Sequence, residues 1–387
     1  MDTIQMPKLA EPRDAAAIIA NCKAIGPIID EEAPEMDRIG YLTPRMKEVL
    51  VAAGCFRMCF PARLGGPALG FCDQVKVIEV LARRDGSVAW NVKILSDSGY
   101  YACRLSDEAY RVLYPSIDAA TAGALAPIGR ADVIGDEFEV TGLWHYGSGV
   151  RSADQIVGGV QVYENGEMRR LPNGSPVVLY VYLPVSKVVI QDNWHVTGMR
   201  GSGSNSYGVE KVRVPVNHSF LRSAPANAEA EPLIRHVELP FFNTIGTTLG
   251  LTAHALDVAK AKISAGKEPA AKQETTQRLY GEAWCCLDAA RAHAYHVAES
   301  LDEILFRSGS LLDNEAFARM VSAPTTVARL CKRVVELAVE MNGAISIYED
   351  NEMERIVRDV HTNALHIANT PRKWVDVTVR TLVSTLS

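Results

Sequence analysis

Two short stretches carry residue types that could do chemistry. The first is Leu143-Trp144-His145-Tyr146-Gly147-Ser148-Gly149, where the clean alternation begun at Phe138 runs into glycines and a serine. Period-two geometry places Phe138, Val140, Trp144, Tyr146 and Ser148 on one strand face, and Glu139, Thr141, Leu143 and His145 on the other. That face ends in two aromatics and a hydroxyl. It reads as a core strand whose serine caps a turn, or as a flat platform with a hydrogen-bonding end, suited to a planar heterocyclic cofactor. Gly147 and Gly149 would let such a ligand approach the backbone closely. The second stretch is Arg358-Asp359-Val360-His361-Thr362-Asn363-Ala364-Leu365-His366. On a helix, Asp359, Asn363 and His366 fall at i, i+4 and i+7 and form one polar stripe, either a solvated face or an imidazole base with Asn363 within reach to orient it. His361 lies about 140° round from His366 and serves another face.

Weaker candidates surround these. Gly201-Ser202-Gly203-Ser204-Asn205-Ser206 starts like a dinucleotide loop, but position 206 is serine and no strand-to-helix unit encloses it. His293 and His296 have a spacing that could bind metal but no further ligand nearby, and read as a helix face. The Arg83-Arg84 and Lys332-Arg333 pairs read as ordinary helix faces.

The elements that must position these residues fall into three blocks. Residues 12–117 show apolar spacing of three and four residues interrupted by Pro and Gly, with Gly54 as a stop and Asp85-Gly86-Ser87 as a stop and restart in which Ser87 is the expected N-cap. From about 118 to 222 the runs are short, rich in Val, Ile, Tyr and Leu, and end in Gly, Asn or Pro, as strands do. Residues 223–232 have linker composition. From 233 onward the helical period returns, with Val327, Leu330, Cys331, Val334, Leu337, Ala338 and Met341 on one stripe closed by Asn342-Gly343. The expected domains are thus 1–117, helical; 118–222, β; and 233–387, helical.

Composition narrows the function. The 387 residues are 48% hydrophobic and 22% charged, which is ordinary for a globular protein. A net charge of -6 gives no global field for nucleic acid or anionic lipid. No window approaches the ~18 apolar residues of a membrane span, and no leader is evident at the N-terminus. The eight cysteines have no paired ligand spacing, so they read as buried thiols of a cytoplasmic protein.

Five motifs in register carry a family resemblance: FPARLGGP (60–67), LARRDGSVAW (81–90), EFEVTGLWHYGSGVRSAD (137–154), DNWHVTGMRGSGSNSYGVEKVRVP (192–215) and NGAISIYEDNEMERIVRDVHTNALH (342–366). Together they resemble the landmarks of the acyl-CoA dehydrogenase superfamily, most closely its flavin-dependent monooxygenase branch. Two features favour that branch. Tyr146-Gly147-Ser148-Gly149 is similar to its flavin-facing strand end, and the position of the dehydrogenases' catalytic glutamate falls here on Ile367, next to His366, where the branch places a histidine.

The resemblance implies an α+β acyl-CoA dehydrogenase fold: an N-terminal helical domain, a central β domain and a C-terminal four-helix bundle, assembled as a homotetramer. It implies the oxygenase component of a two-component monooxygenase. Reduced FAD or FMN from a separate flavin reductase would react with O2, and the resulting C4a-hydroperoxyflavin would hydroxylate or epoxidise a small aromatic substrate. Ser148 and His366 are the implied catalytic residues, as donor to the flavin and as base. Trp144, Tyr146, Ser148, Gly149, Arg200 and Ser204 would hold the cofactor. Trp90, Asp97 and Tyr100 would line the substrate pocket, although Asp97, Ser98 and Tyr100 stand where several relatives carry a second histidine. The alternatives are an acyl-CoA dehydrogenase-like flavoprotein, an N- or S-oxygenase on the same fold, and a flavin-retaining accessory or DNA-binding protein.

Overall fold

The computed structural model describes residues 4–222, 226–265 and 272–383. Part of the expected linker, 223–225, lies outside them. Among the described residues, seven α-helices come first: α1 (Ala15–Ala24), α2 (Gly26–Ile39), α3 (Pro44–Ala52), α4 (Phe71–Ala82), α5 (Gly86–Leu95), α6 (Ser98–Ala102) and α7 (Asp107–Leu113). The restart before α5 is capped by Asp85, whose carboxylate accepts from the Val88 N–H, and not by Ser87, which lies inside the helix and is buried. Aspartate at that position leaves the short serine side chain free to pack. The helical run after that restart is broken in two at Ser96-Asp97.

Eight strands follow: β1 (Thr121–Ile134), β2 (Glu137–Gly147), β3 (Gln155–Glu164), β4 (Glu167–Met168), β5 (Val178–Leu183), β6 (Val189–Ile190), β7 (Asn205–Pro215) and β8 (Ser219–Leu221). They form one sheet in the order β6-β7-β2-β1-β3-β5-β8, with β4 against β3. The β1–β3 pair is parallel, with a register break between Ala124 and Gly129, and the other pairs are antiparallel. The long strand β1 is too rich in Ala and Gly to show a strong period-two signal, so pairing with β2 and β3 is what makes it a strand.

The last part holds α8 (Ile245–Ser264), α9 (Glu274–Asp302), α10 (Asn314–Asn342), α11 (Glu352–Asn363) and α12 (Lys373–Thr381). The long helices α8, α9 and α10 pack on one another through the stripe seen in the sequence, and α10 runs unbroken through Pro324. Two polar clasps fasten this bundle to α4. Asp302 accepts from the backbone N–H groups of Phe71 (2.5 Å) and Cys72 (3.0 Å), capping α4 from outside. Buried Glu79 accepts from Arg291 (2.6 and 2.9 Å) and from the Tyr295 hydroxyl (2.7 Å). No helix among the described residues is long and apolar enough to cross a membrane.

Candidate active site

The strand β2 keeps its alternation through Phe138, Val140 and Trp144 and then loses it. Tyr146 adopts φ 61°, in the left-handed region that a bulky side chain rarely visits, and swings out to 75% exposure. Trp144, expected beside it on a cofactor platform, is fully buried. Its indole N–H donates to the Gly159 carbonyl at 2.8 Å, its ring stacks on Tyr207 at 5.5 Å, and a Cβ on Gly129, Gly142 or Gly158 would collide with it. Trp144 therefore supports the sheet from inside and offers no face to a ligand. The expectation of one shared aromatic face fails because the backbone turns between the two rings.

That turn gathers hydroxyls. Ser148 Oγ lies 2.7 Å from Ser204 Oγ, which lies 2.9 Å from Ser202 Oγ, and it accepts the indole N–H of Trp90 at 3.0 Å. The Gly149 N–H donates to the Ser202 carbonyl (2.9 Å), joining the strand end to the 199–205 loop, and Gly149 holds φ 71° with Asn91 and Leu95 against it. Asn91 donates to the carbonyls of Ser87 and Gly201, while its Oδ1 is buried with no partner among the described residues. Arg200 turns away towards Asp37, 3.6 Å distant, and its side chain is nearly half exposed.

The third wall comes from α11 and the turn after it. Asp359 and Asn363 are both buried, which excludes a solvated stripe. Asp359 accepts from the Met199 N–H, fixing the 199–205 loop, and Asn363 Nδ2 donates to Thr248. Burial, reinforced by nearby Asp85, pushes the Asp359 carboxyl up to about 7. The helix stops at Asn363, so His366 is not one stripe with them. It caps a short turn over Ile367–Asn369, and Asn363 spends its side chain on Thr248 rather than on orienting the imidazole.

His366 nevertheless reaches the site. Its ring packs edge-on against Trp90 at 4.8 Å and faces Phe241 at 6.5 Å. Burial of the ring, with the Lys93 and Lys373 ammonium groups acting on it, lowers its pKa to about 3. Its Nδ1 accepts the Ala368 N–H at 3.3 Å, and an accepting Nδ1 in a neutral ring leaves the proton on Nε2. The ring presents a donor. Strand end, loop, α5 and the turn after α11 thus meet around Trp90, Ser148, Ser204 and His366.

The sequence of residues 242–371 matches the family model described as acyl-CoA dehydrogenase, C-terminal domain. An indole-3-acetate monooxygenase of Pseudomonas putida is 30% identical over 345 residues, covering 86% of this chain and 85% of that protein. The oxygenase subunit HsaA of a flavin-dependent monooxygenase from Rhodococcus jostii is 24% identical, covering 90% of this chain and 94% of the relative. Among solved structures, XiaF from a Streptomyces species, in complex with FADH2 and glycerol, superposes with a TM-score of 0.86 at 20% identity over 95% of this chain and 96% of that one. The chain belongs to the flavin-dependent monooxygenases of the acyl-CoA dehydrogenase superfamily. It is an oxygenase component, dependent on reduced flavin from a separate reductase.

A flavin fits the residues present. A planar heterocycle is held by a flat apolar surface beside a few polar groups. Here the exposed Tyr146 ring, with Trp194 edge-on at 6.4 Å, stands two residues before the buried Ser148 hydroxyl, and the Asn91 Oδ1 near Gly149 has no partner among the described residues. Asp97 and Tyr100, expected at the substrate, sit inside the N-terminal helices: Asp97 pairs with Lys93 at 2.9 Å, and Tyr100 donates to Gln74 at 3.2 Å. Sequence reasoning missed Asn91, Lys93, Ser202 and Phe241. Of these, Lys93 carried a signal, since a lysine four residues before an aspartate on an otherwise apolar helix marks a buried charge pair.

Proposed function

We propose that this oxygenase inserts one atom of O2 into a small aromatic or heteroaromatic ring of the indole or phenol type, using reduced FAD or FMN. The observation that carries the reading is the Ser148–Ser204 hydroxyl pair, held by the Trp90 N–H, beside a neutral His366 ring. When bound, reduced flavin and O2 supply the electrophilic oxygen atom. The rest is positioning. Ser148 uses its acceptor lone pair on Trp90, which frees its hydroxyl proton for a flavin ring nitrogen or for Ser204. Tyr146 and Gly149 would hold the flat face of the cofactor, Ser204 would complete its polar edge, and Trp144 holds the strand rigid beneath. Trp90, shared between Ser148 and His366, would stand between cofactor and substrate. His366 donates through Nε2–H to an oxygen that gains charge as the ring is attacked.

An α-proton base is what the dehydrogenase chemistry requires, and Ile367, more than half exposed at the corresponding position, offers none. The exposed apolar side chains Ile347, Tyr348, Leu365, Ile367, Val375 and Leu382 favour a homotetramer whose neighbouring copies cover them. The eight free thiols suit the cytoplasm.

The test mixes the anaerobic protein, loaded with reduced flavin, with oxygenated indole or phenol. Oxygenated product should form without NADH and without a reductase present. Direct oxidation of NADH by the purified chain, or oxygen consumption that ends only in hydrogen peroxide for every aromatic tried, would overturn the reading.

A further inference from the structure

The thiols of Cys22 and Cys55 meet inside the N-terminal helices. Their sulfurs lie 3.6 Å apart although the residues are 33 positions apart in the chain, and theirs is the one thiol–thiol hydrogen bond among the described residues. Cys22 stands in the last turn of α1, and Cys55 follows Gly54, whose φ of 81° turns the chain after α3. Asn21, beside Cys22, fastens the two helix ends: its side-chain amide donates to the Ala10 carbonyl at 2.8 Å and to the Ala53 carbonyl at 3.4 Å. A disulfide holds its sulfurs at about 2.05 Å, so these two have to close by about 1.5 Å, a displacement on the scale of side-chain torsional adjustment.

Both side chains are buried, but an oxidant reaches them from one side. Cys22 borders a cleft of about 550 Å³ that Val80, Arg83, Arg84, His254 and Glu352 also line, whereas Cys55 does not border it and is fully buried. Most of the charge in the cleft is already matched: Arg83 pairs with Asp257 at 2.6 Å, Arg84 with Asp30 at 3.0 Å and His254 with Glu352 at 2.8 Å. Lys23, next to Cys22 and also at the cleft, has no carboxylate partner among the described residues, so its charge is available to a thiolate formed at Cys22. The hydrogen bond to Cys22, together with burial, holds the Cys55 thiol well above its ordinary range. Cys22 is thus the thiol that an oxidant meets first, and Cys55 keeps its proton behind it.

We propose that Cys22 and Cys55 form a reversible oxidation site, closed to a disulfide by hydrogen peroxide. The Cys22 thiolate attacks one peroxide oxygen, the O–O bond breaks, and the departing hydroxide takes up the thiol proton and leaves as water. The sulfur, now a sulfenic acid, has lost two electrons and the peroxide has gained them. The Cys55 sulfur then attacks the Cys22 sulfur, its proton joins the departing hydroxyl, and a second water leaves as the S–S bond forms. Two thiols and one peroxide give one disulfide and two waters. Reduced flavin and O2 yield hydrogen peroxide whenever no substrate takes the oxygen atom, so an oxygenase supplies this oxidant itself. A resolving thiol at 3.6 Å keeps Cys22 from passing on to the irreversible sulfinic acid, and the bond ties the end of α1 to the end of α3.

The test treats the flavin-loaded holoenzyme with a modest molar excess of hydrogen peroxide, blocks the free thiols with iodoacetamide in denaturant, and maps peptides by mass spectrometry without reduction. The peptides holding Cys22 and Cys55 should appear joined, with these two of the eight thiols lost to alkylation, and dithiothreitol should part them. The exposed Cys285 sets the background oxidation in the same sample. Cys55→Ser should leave Cys22 as a sulfenic acid that dimedone labels, whereas Cys22→Ser should leave Cys55 an unlabelled free thiol. Both variants, freshly reduced, should turn over like wild type, since neither sulfur belongs to the candidate site. Cys22 and Cys55 alkylated as free thiols at peroxide levels that oxidise Cys285, or found as sulfinic acids with no cross-link, overturn the proposal. Should a serine variant fail to fold, the peptide map of the wild-type protein decides.

Discussion

The sharpest prediction separates two roles for His366. A general base must be able to take up a proton, and an unperturbed imidazole does so near pH 6.5. Here burial between Trp90 and Phe241, with Lys93 and Lys373 acting on the ring, lowers the pKa to about 3, so the ring is neutral throughout the working range. Taking a proton from a phenol of pKa ~10 would then be uphill by about seven pK units, or roughly 10 kcal/mol at 1.36 kcal/mol per unit. A donor role meets no such barrier, and the Ala368 N–H at Nδ1 already sets the Nε2–H tautomer. The perturbation is His366→Gln against His366→Ala. Glutamine restores an N–H near the position of Nε2 but no base, so its product yield per O2 should stay within ~10-fold of wild type. Alanine should lose ~10² to 10³, the usual worth of one donor to a developing oxyanion. His361→Ala, on exposed α11 surface, should change little. The assay counts product and hydrogen peroxide per O2 consumed, from pH 6 to 9. A glutamine variant as poor as alanine, with a wild-type limb near pH 6.5, would refute the donor role and restore the base.

The same ring makes stability depend on pH. Its folded pKa lies below its unfolded value, so the unfolded chain binds a proton that the folded chain refuses between pH ~6.5 and ~3; wild type should lose up to ~1.4 kcal/mol per pH unit on acidification through that window, and His366→Gln should show a shallower slope in urea midpoints. Asp359 works in the opposite sense, because its carboxyl is raised to about 7: its contribution is present below ~pH 4 and lost as pH rises through 7, so Asp359→Asn should gain on wild type between pH 5 and 7.5, and parallel pH curves would contradict this. Ser148→Ala leaves the buried Trp90 N–H without an acceptor, which should cost about 1 to 3 kcal/mol and weaken reduced-flavin binding ~10-fold or more; titrations matching wild type would return the serine to a turn cap. Glu79→Ala opens the clasp between α4 and α9 and should cost about 2 to 3 kcal/mol in equilibrium unfolding, below the range for fully buried pairs because Arg291 reaches solvent.

Much of the fold was legible in the sequence because each block keeps one period. The amphipathic stripe of α10 and the Asn342-Gly343 stop stand where the spacing put them, and β2 alternates from Phe138 to Trp144 as written. Strand β1 gave a weak signal because its Ala and Gly residues make room for Trp144 and pair through backbone alone. The buried Asp359 and Asn363 read as surface because polarity is a poor guide where a side chain has a backbone N–H or a hydroxyl waiting for it.

The candidate site was legible in location and illegible in detail for one physical reason. Period arguments hold inside an element, and the candidate residues here stand at the very end of one or up to three positions past it: Tyr146 is next to last in β2, Ser148 follows that strand by one and His366 follows α11 by three. Tyr146 leaves the strand face through a positive φ, and His366 follows the last turn of α11, so neither obeys the alternation or the 3.6-residue repeat that located it. Such positions suit a site because the chain there is free to turn towards a ligand, while the elements behind it hold the turn in place: Trp144 locks β2 from within, and Asp359 locks the loop that carries Ser204. A substitution that merely restores regularity tests this. Tyr146→Gly relieves the left-handed strain and removes the ring, and should hold or raise stability while weakening flavin binding at least ~10-fold, since glycine adopts this φ without cost. Loss of stability together with flavin affinity would show instead that Tyr146 belongs to the packing of the strand and not to the cofactor.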